Sequence, residues 1–195
     1  MKQIIISVGR EFGSGGHIVA QKLAEHYDIP IFNKELLEEM ARKEGYSEKA
    51  LEKYDEKPVN FGFMPLPYAG GNIPIEQEIA MKQFEFIKNK ADAGESFVIV
   101  GRCADYILRD REDCLKVFLY ADEETKENRI QEIYGEAGLK LKNRVKDMDV
   151  RRGLNYKYFT GQDWGKAQNY GLALNRGSLG IEKCAQLIVD AASEE

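Results

Sequence analysis

The run from Ser7 to Val19, SVGREFGSGGHIV, constrains the fold more than any other stretch of this chain. Ile4, Ile5, Ile6 and Val8 make an apolar, β-branched run at its start, and Val19, Ala20, Leu23, Ala24 and Tyr27 recur at helical spacing at its end. Strand, glycine loop and helix are the first half of a βαβ unit. Gly13, Gly15 and Gly16 let backbone amides converge on an anion, and a helix beginning near Gly16 points its positive end at the same place. Those forces need no side chain. Where a phosphate-cradling loop carries Lys and then Ser or Thr, this chain reads Gly16, His17, Ile18. Arg10 can supply the missing charge through its planar, bidentate fork. A glycine turn that binds nothing, with a solvated Arg10, is compatible with the same residues. A dinucleotide loop fits worse, because its third glycine is missing at Ile18 and Asn33 stands where a ribose-binding acid is required.

Further on, a short strand at Ile29–Phe32 is followed by Asn33 as a helix cap, and Ser47 opens another helical pattern. Lys57 to Pro74, KPVNFGFMPLPYAGGNIP, holds four of the five prolines and reads as one long irregular segment, functional or an ordered aromatic plug. A helix resumes with Ala80, Phe84, Ile87 and Ala91 on one stripe. SFVIVG at 96–101 and CLKVFLYA at 114–121 read as buried strands, Asp122 as a helix cap, and YGLALN at 170–175 as a last strand before a helix carrying Ile181, Ala185, Ile188 and Ala192. Alternating strands and helices predict a parallel α/β sheet covered on both faces. In such a sheet ligands gather at the carboxyl ends of the strands, where Gly9, Gly101 and Arg102 fall.

At 195 residues, one domain is expected. A net charge of −5 gives no overall field for nucleic acid, so a polyanion needs a local cationic site, and a small anionic ligand fits better. Three cysteines with no close-paired spacing suggest a reduced, cytoplasmic protein. No apolar run approaches the roughly 20 residues that span a bilayer. Transfer of a phosphoryl group needs cations converging from separate segments. Arg10, Arg102, Arg144, Arg151 and Arg152 are the candidates, with Lys140, Arg144, Asp147 and Arg151 on one face if the late cationic stretch is helical. An exposed helix laced with ion pairs has the same pattern.

GREFGSGG at the first loop, IFNKELLEE, VIVGRCADYIL, DVRRGLNYKYFTGQDWG and NYGLALN, in this order, resemble the cytidylate kinase-like family, relatives of the nucleoside monophosphate kinases. The resemblance covers nearly the whole chain. It implies a three-layer P-loop NTPase-like α/β fold over 1–195, with a parallel sheet, a helical acceptor-binding insertion at 34–93 and a lid region at 138–166. It implies ATP and Mg²⁺, with Gly13, Ser14, Gly15, Gly16 and His17 as the candidate nucleotide-binding residues. Arg102 is similar to the arginine of a Gly-Arg-Asp that meets the acceptor, with Cys103 in the acid's place. Arg151 and Arg152 resemble lid arginines. The chain departs from the family's better-known kinases at Gly16, Ile18, Cys103 and Gly171, and Asp105 is the nearest acid for a metal.

The expected function is therefore transfer of the ATP γ-phosphoryl group to a nucleoside monophosphate, CMP or dCMP foremost. Two rivals stay open: a nucleotide-binding sensor that has lost transfer, and a phosphotransferase for a non-nucleotide acceptor. Tyr156, Tyr158, Phe159 and Trp164 either stack on a base or pack a lid hinge.

Overall fold

The structure is a computed structural model that describes residues 2–33, 37, 42, 45, 75–135 and 138–193. The described residues form a five-stranded parallel sheet between two helical layers. In chain order they are β1 (Ile5–Arg10), α1 (Gly16–Tyr27), β2 (Ile31–Phe32), α2 (Ile75–Asp92), β3 (Phe97–Val100), α3 (Ala104–Ile107), β4 (Cys114–Tyr120), α4 (Glu123–Tyr134), α5 (Gly138–Thr160), β5 (Leu172–Asn175) and α6 (Arg176–Ser193). The strand order is β2-β3-β1-β4-β5, so β1 lies in the middle.

Alternation along the central strands divides the core in two. Ile6, Val8, Val98, Val100, Leu115, Val117 and Leu119 face Val19, Ala20 and Leu23 of α1 and Cys184 and Ile188 of α6. Ile5, Phe97, Ile99 and Cys114 face the other way, onto Ile87 and Ala91 of α2 and Ala104 of α3. Side chains on both faces are buried, which is why these strands read as continuous apolar runs.

Among the described residues the predicted elements are present with two local differences. β2 starts at Ile31 rather than Ile29, because Pro30 has no N–H to donate and joins the ladder only through its carbonyl, which accepts from Val98 N at 2.9 Å. α6 is interrupted at Gly180 (φ 77°), so its regular part begins with the predicted stripe at Ile181. The cationic stretch is one long helix, α5, of 23 residues. The Asp122 cap is formed as expected, accepting from Thr125 N at 2.8 Å. The helix expected after Ser47 and the irregular segment at 57–74 lie outside the described residues, as does most of the proposed insertion. No helix among the described residues is long and apolar enough to cross a membrane.

Candidate functional site

The loop after β1 is built by its own glycines and by what presses on them. Glu11 N donates to Leu119 O at 3.0 Å, extending the β1–β4 ladder one residue past the strand. Gly13 (φ 82°) and Gly15 (φ 81°) are left-handed, a conformation that glycine adopts without strain. Space gives a second reason at Gly13, where a Cβ would lie 2.9 Å from Lys126 O. Ser14 is fully buried and its hydroxyl donates to Glu11 O at 2.8 Å, so it shapes the loop from within. Gly15 O accepts from Ile18 N and Val19 N and starts α1. Among the described residues nothing accepts from the amides of Gly15, Gly16 and His17. They are donors at the positive end of a 12-residue helix, the chemistry that suits an anion. The His17 side chain is exposed on that first turn.

Three further segments hold this loop. Arg176, at the β5–α6 junction, donates from Nε to Ser14 O (2.7 Å) and from Nη2 to Gly13 O (3.1 Å). Burial, and then the charge of Arg129, push its guanidinium below the usual arginine range. Lys126 of α4, only 8% exposed, lies 3.1 Å from both Glu11 Oε2 and Asp149 Oδ2. Burial alone would lower its ammonium, but bonds and charge from Glu11 and Asp149 outweigh that and raise it. Asp149, from α5, also accepts from Phe12 N at 2.6 Å. Arg152 Nη1 donates to Arg10 O at 3.1 Å, and the Arg152 and Arg144 guanidiniums sit 5.5 and 5.8 Å from the centre of the Phe12 ring.

The predicted cations thus divide. Arg10 runs from the end of β1 past Gly16 to Gly101. Arg144 and Arg152 bracket Phe12, and Arg144 also lies 4.3 Å from the Tyr134 ring. Arg151, with Lys140 and Asp147, is on the exposed side of α5, whose inward stripe is Leu141, Val145 and Tyr156. Arg102 lies in a turn with unusual backbone: Gly101, Arg102 and Cys103 have φ of 74°, 58° and 55°. For the two non-glycine residues this costs roughly 1–2 kcal/mol each, strain of the kind that collects at functional sites.

Lys126, Arg176, Arg129 and Phe12 were missed in the sequence. The one available signal was that Asp149 interrupts the cations, which reads equally as ordinary surface pairing.

Beyond the turn, Tyr156 OH donates to the buried Asp105 Oδ2 at 2.6 Å. Burial raises the Asp105 carboxyl, against the lowering effect of that bond. Asp105, Tyr106, Arg109, Lys116, Gln162 and Tyr170 are among the residues lining a cleft of about 330 Å³. Three of the four aromatics singled out in the sequence pack on described neighbours: Phe159 on Phe84 (5.2 Å), Tyr158 on Phe159 (4.9 Å) and Trp164 on Phe118 (5.3 Å).

The described residues around the loop do not supply a magnesium site. Glu11 and Asp149 are engaged with Lys126, the Ser14 hydroxyl is turned inward, and Ile18 carries no side-chain oxygen. No cluster of three metal-ligating side chains occurs among the described residues.

A central β1 in this strand order, with a glycine loop running onto a helix N-terminus, defines a P-loop kinase fold. The chain belongs to the cytidylate kinase-like family, whose model matches residues 5–178. It is similar to an uncharacterized protein from Eubacterium ventriosum (35% identity, 99% of this chain and 100% of that one covered, TM-score 0.79). It shares its fold with a gluconokinase from Sinorhizobium meliloti (12% identity, 98% and 92% covered, TM-score 0.60). The same holds for a shikimate kinase from Acinetobacter baumannii in complex with shikimate (14% identity, 100% and 94% covered, TM-score 0.55). The search of curated proteins found no match.

Proposed function

We propose that this protein binds ATP on the Gly13–Gly16 loop and transfers its γ-phosphoryl group to a nucleoside monophosphate, CMP or dCMP foremost. The observation that carries this is the seat of amides at Gly15, Gly16 and His17, with Arg10 beside it and Arg102 on the strained turn of the neighbouring strand. The amides and the helix dipole hold the donor phosphates. Arg10 neutralises charge on the group in transit, and Arg102 holds the acceptor phosphate. Arg144 and Arg152 act through Phe12, keeping α5 of the 138–166 lid against the loop, and Arg151 would join only if that helix turned. The acceptor is received by the insertion at 34–93. Mg²⁺ enters as the nucleotide's own chelate, because it binds readily through phosphates with few protein ligands. The partners are small molecules rather than nucleic acid or membrane, and a cytoplasmic setting suits the three free thiols.

The second reading is a nucleotide-binding sensor without transfer. The engagement of Glu11 and Asp149 with Lys126 favours it, since it leaves the loop without an acid to place a metal. ADP release from ATP and Mg²⁺, measured with CMP, dCMP, UMP and AMP beside calorimetric ATP binding, separates the two. Release that depends on CMP or dCMP supports transfer. Binding with no release under any acceptor, gluconate and shikimate included, selects the sensor, and release with either of those two alone selects a non-nucleotide acceptor.

A further inference from the structure

Gly16 stands where a lysine is expected, yet its own backbone does not ask for glycine. It is helical, and its φ is not among the positive ones. The demand comes from Arg10. A Cβ at position 16 would lie 2.5 Å from Arg10 Cβ and 2.9 Å from Arg10 Cγ. The Arg10 Cβ is fixed by the backbone of a strand paired with β4 as far as Arg10↔Leu119, so it cannot swing aside. At the other end of the same side chain, a Cβ on Gly101 would collide with Arg10 Nη1 and lie 3.1 Å from Cζ. The stem crosses Gly16, and the guanidinium ends against Gly101.

We infer that Arg10, Gly16 and Gly101 are one unit. The cation of the phosphate loop has moved from the first turn of α1 to the end of β1, and the two glycines are the space that this move requires. Arg10 is the catalytic cation, and Gly16 and Gly101 are positioning residues that act through it. Lysine at 16 and arginine at 10 are mutually exclusive. The ligand that the relocated charge meets is a nucleoside triphosphate's phosphate chain, a point that rests on the ATP reading above. The transferred charge now lies on the side of the turn carrying Arg102, so one guanidinium reaches from the donor loop to the acceptor-side strand.

The test is a double-mutant cycle read by calorimetric ATP affinity and by melting temperature, with Arg10→Gly, which removes Cβ as well as Cγ, Gly16→Lys and the double variant compared with wild type. Arg10→Gly is expected to weaken ATP binding about tenfold or more. Gly16→Lys alone is expected to lower Tm by about 4 °C or more through overpacking. In the Arg10→Gly background the same lysine is expected to lower Tm by no more than about 1 °C and to recover part of the lost affinity. An equal Tm loss in both backgrounds overturns the proposal, as does an Arg10→Gly protein with wild-type ATP affinity. A wild-type chain that binds neither ATP nor inorganic tripolyphosphate overturns it as well. ATP binding that follows the cycle in a protein releasing no ADP with any acceptor supports the relocated cation while removing the transfer reading.

Discussion

The tripeptide Val-Gly-Arg occurs twice at the carboxyl end of this sheet, at 8–10 and at 100–102, on neighbouring strands with Val8 opposite Val100. The first copy stays extended and the second coils into a left-handed turn that continues through Cys103. Their neighbours make the difference. β1 is flanked on both sides, and β4 keeps pairing with it through Gly9, Arg10 and Glu11. Among the described residues β3 has the two residues of β2 on its outer side, and its ladders end at Ile99 with β2 and at Val100 with β1. Identical residues also serve different needs. Gly9 is bare because a Cβ would meet Phe118 Cδ2 at 2.9 Å, whereas Gly101 is bare for its positive φ and for Arg10. Local sequence proposes a turn, and strand pairing decides whether it forms.

The largest expected effect falls on the second arginine. Arg102→Ala should reduce acceptor-dependent ADP release about 10³-fold, with Tm equal to wild type or higher because alanine removes none of the core. Activity retained at more than a tenth of wild type would end the assignment of this turn to the acceptor. Next is Lys126, the anchor of the loop after the first copy. Lys126→Met strands Glu11 and Asp149 together and should cost about 3 kcal/mol in denaturant unfolding. The Lys126 ammonium is raised in the fold, so its contribution is complete below the unfolded lysine range near 10.5 and is lost as pH climbs through the folded value. Melting curves of wild type and variant should therefore begin to converge above about pH 10.5 and draw together as pH passes the folded value.

Alanine at each glycine separates the two copies directly. Gly9→Ala and Gly101→Ala should each cost about 2 kcal/mol. Phe118→Leu should recover stability only for Gly9→Ala, and loss of ATP affinity should accompany only Gly101→Ala. Rescue of both by Phe118→Leu would mean that one steric cause is shared. The smallest effect concerns Asp105, just past the second copy. Its folded carboxyl is raised by burial, so the fold is favoured below the unfolded carboxyl range near 3.8 and loses ground as pH rises through the folded value. Asp105→Asn keeps an acceptor for Tyr156 OH and should gain up to about 1 kcal/mol over wild type between pH 4 and neutrality. A gap that does not change with pH would place the effect in packing instead.

The sheet was legible because the runs at 4–8, 97–100 and 114–120 are buried on both faces and so carry apolar sequence broken only at Ser7 and Lys116. The glycine loop was legible for the same local reason, since a left-handed residue next to a helix start favours glycine. The contacts that hold it were not. Arg176 reaches Ser14 across 162 positions of sequence and Asp149 reaches Phe12 across 137, and no local pattern encodes such pairs. The face drawn through Lys140, Arg144, Asp147 and Arg151 follows helical spacing correctly but points mostly to solvent, because Leu141, Val145 and Tyr156 win the inward side. Positive φ at Arg102 and Cys103 has no sequence signature, since neither residue type favours it.

The three free cysteines give the molecule a built-in clock. Cys184 lies in the layer against α1 and α6, Cys114 in the layer against α2 and α3, and burial pushes the Cys114 thiol up to about 12. A thiol reagent consumes thiolate, so in the native state it must wait for each face of the sheet to open. The labelling rates of Cys184 and Cys114, followed by mass, time the two faces separately. Equal rates mean that the sheet sheds both helical layers in one event.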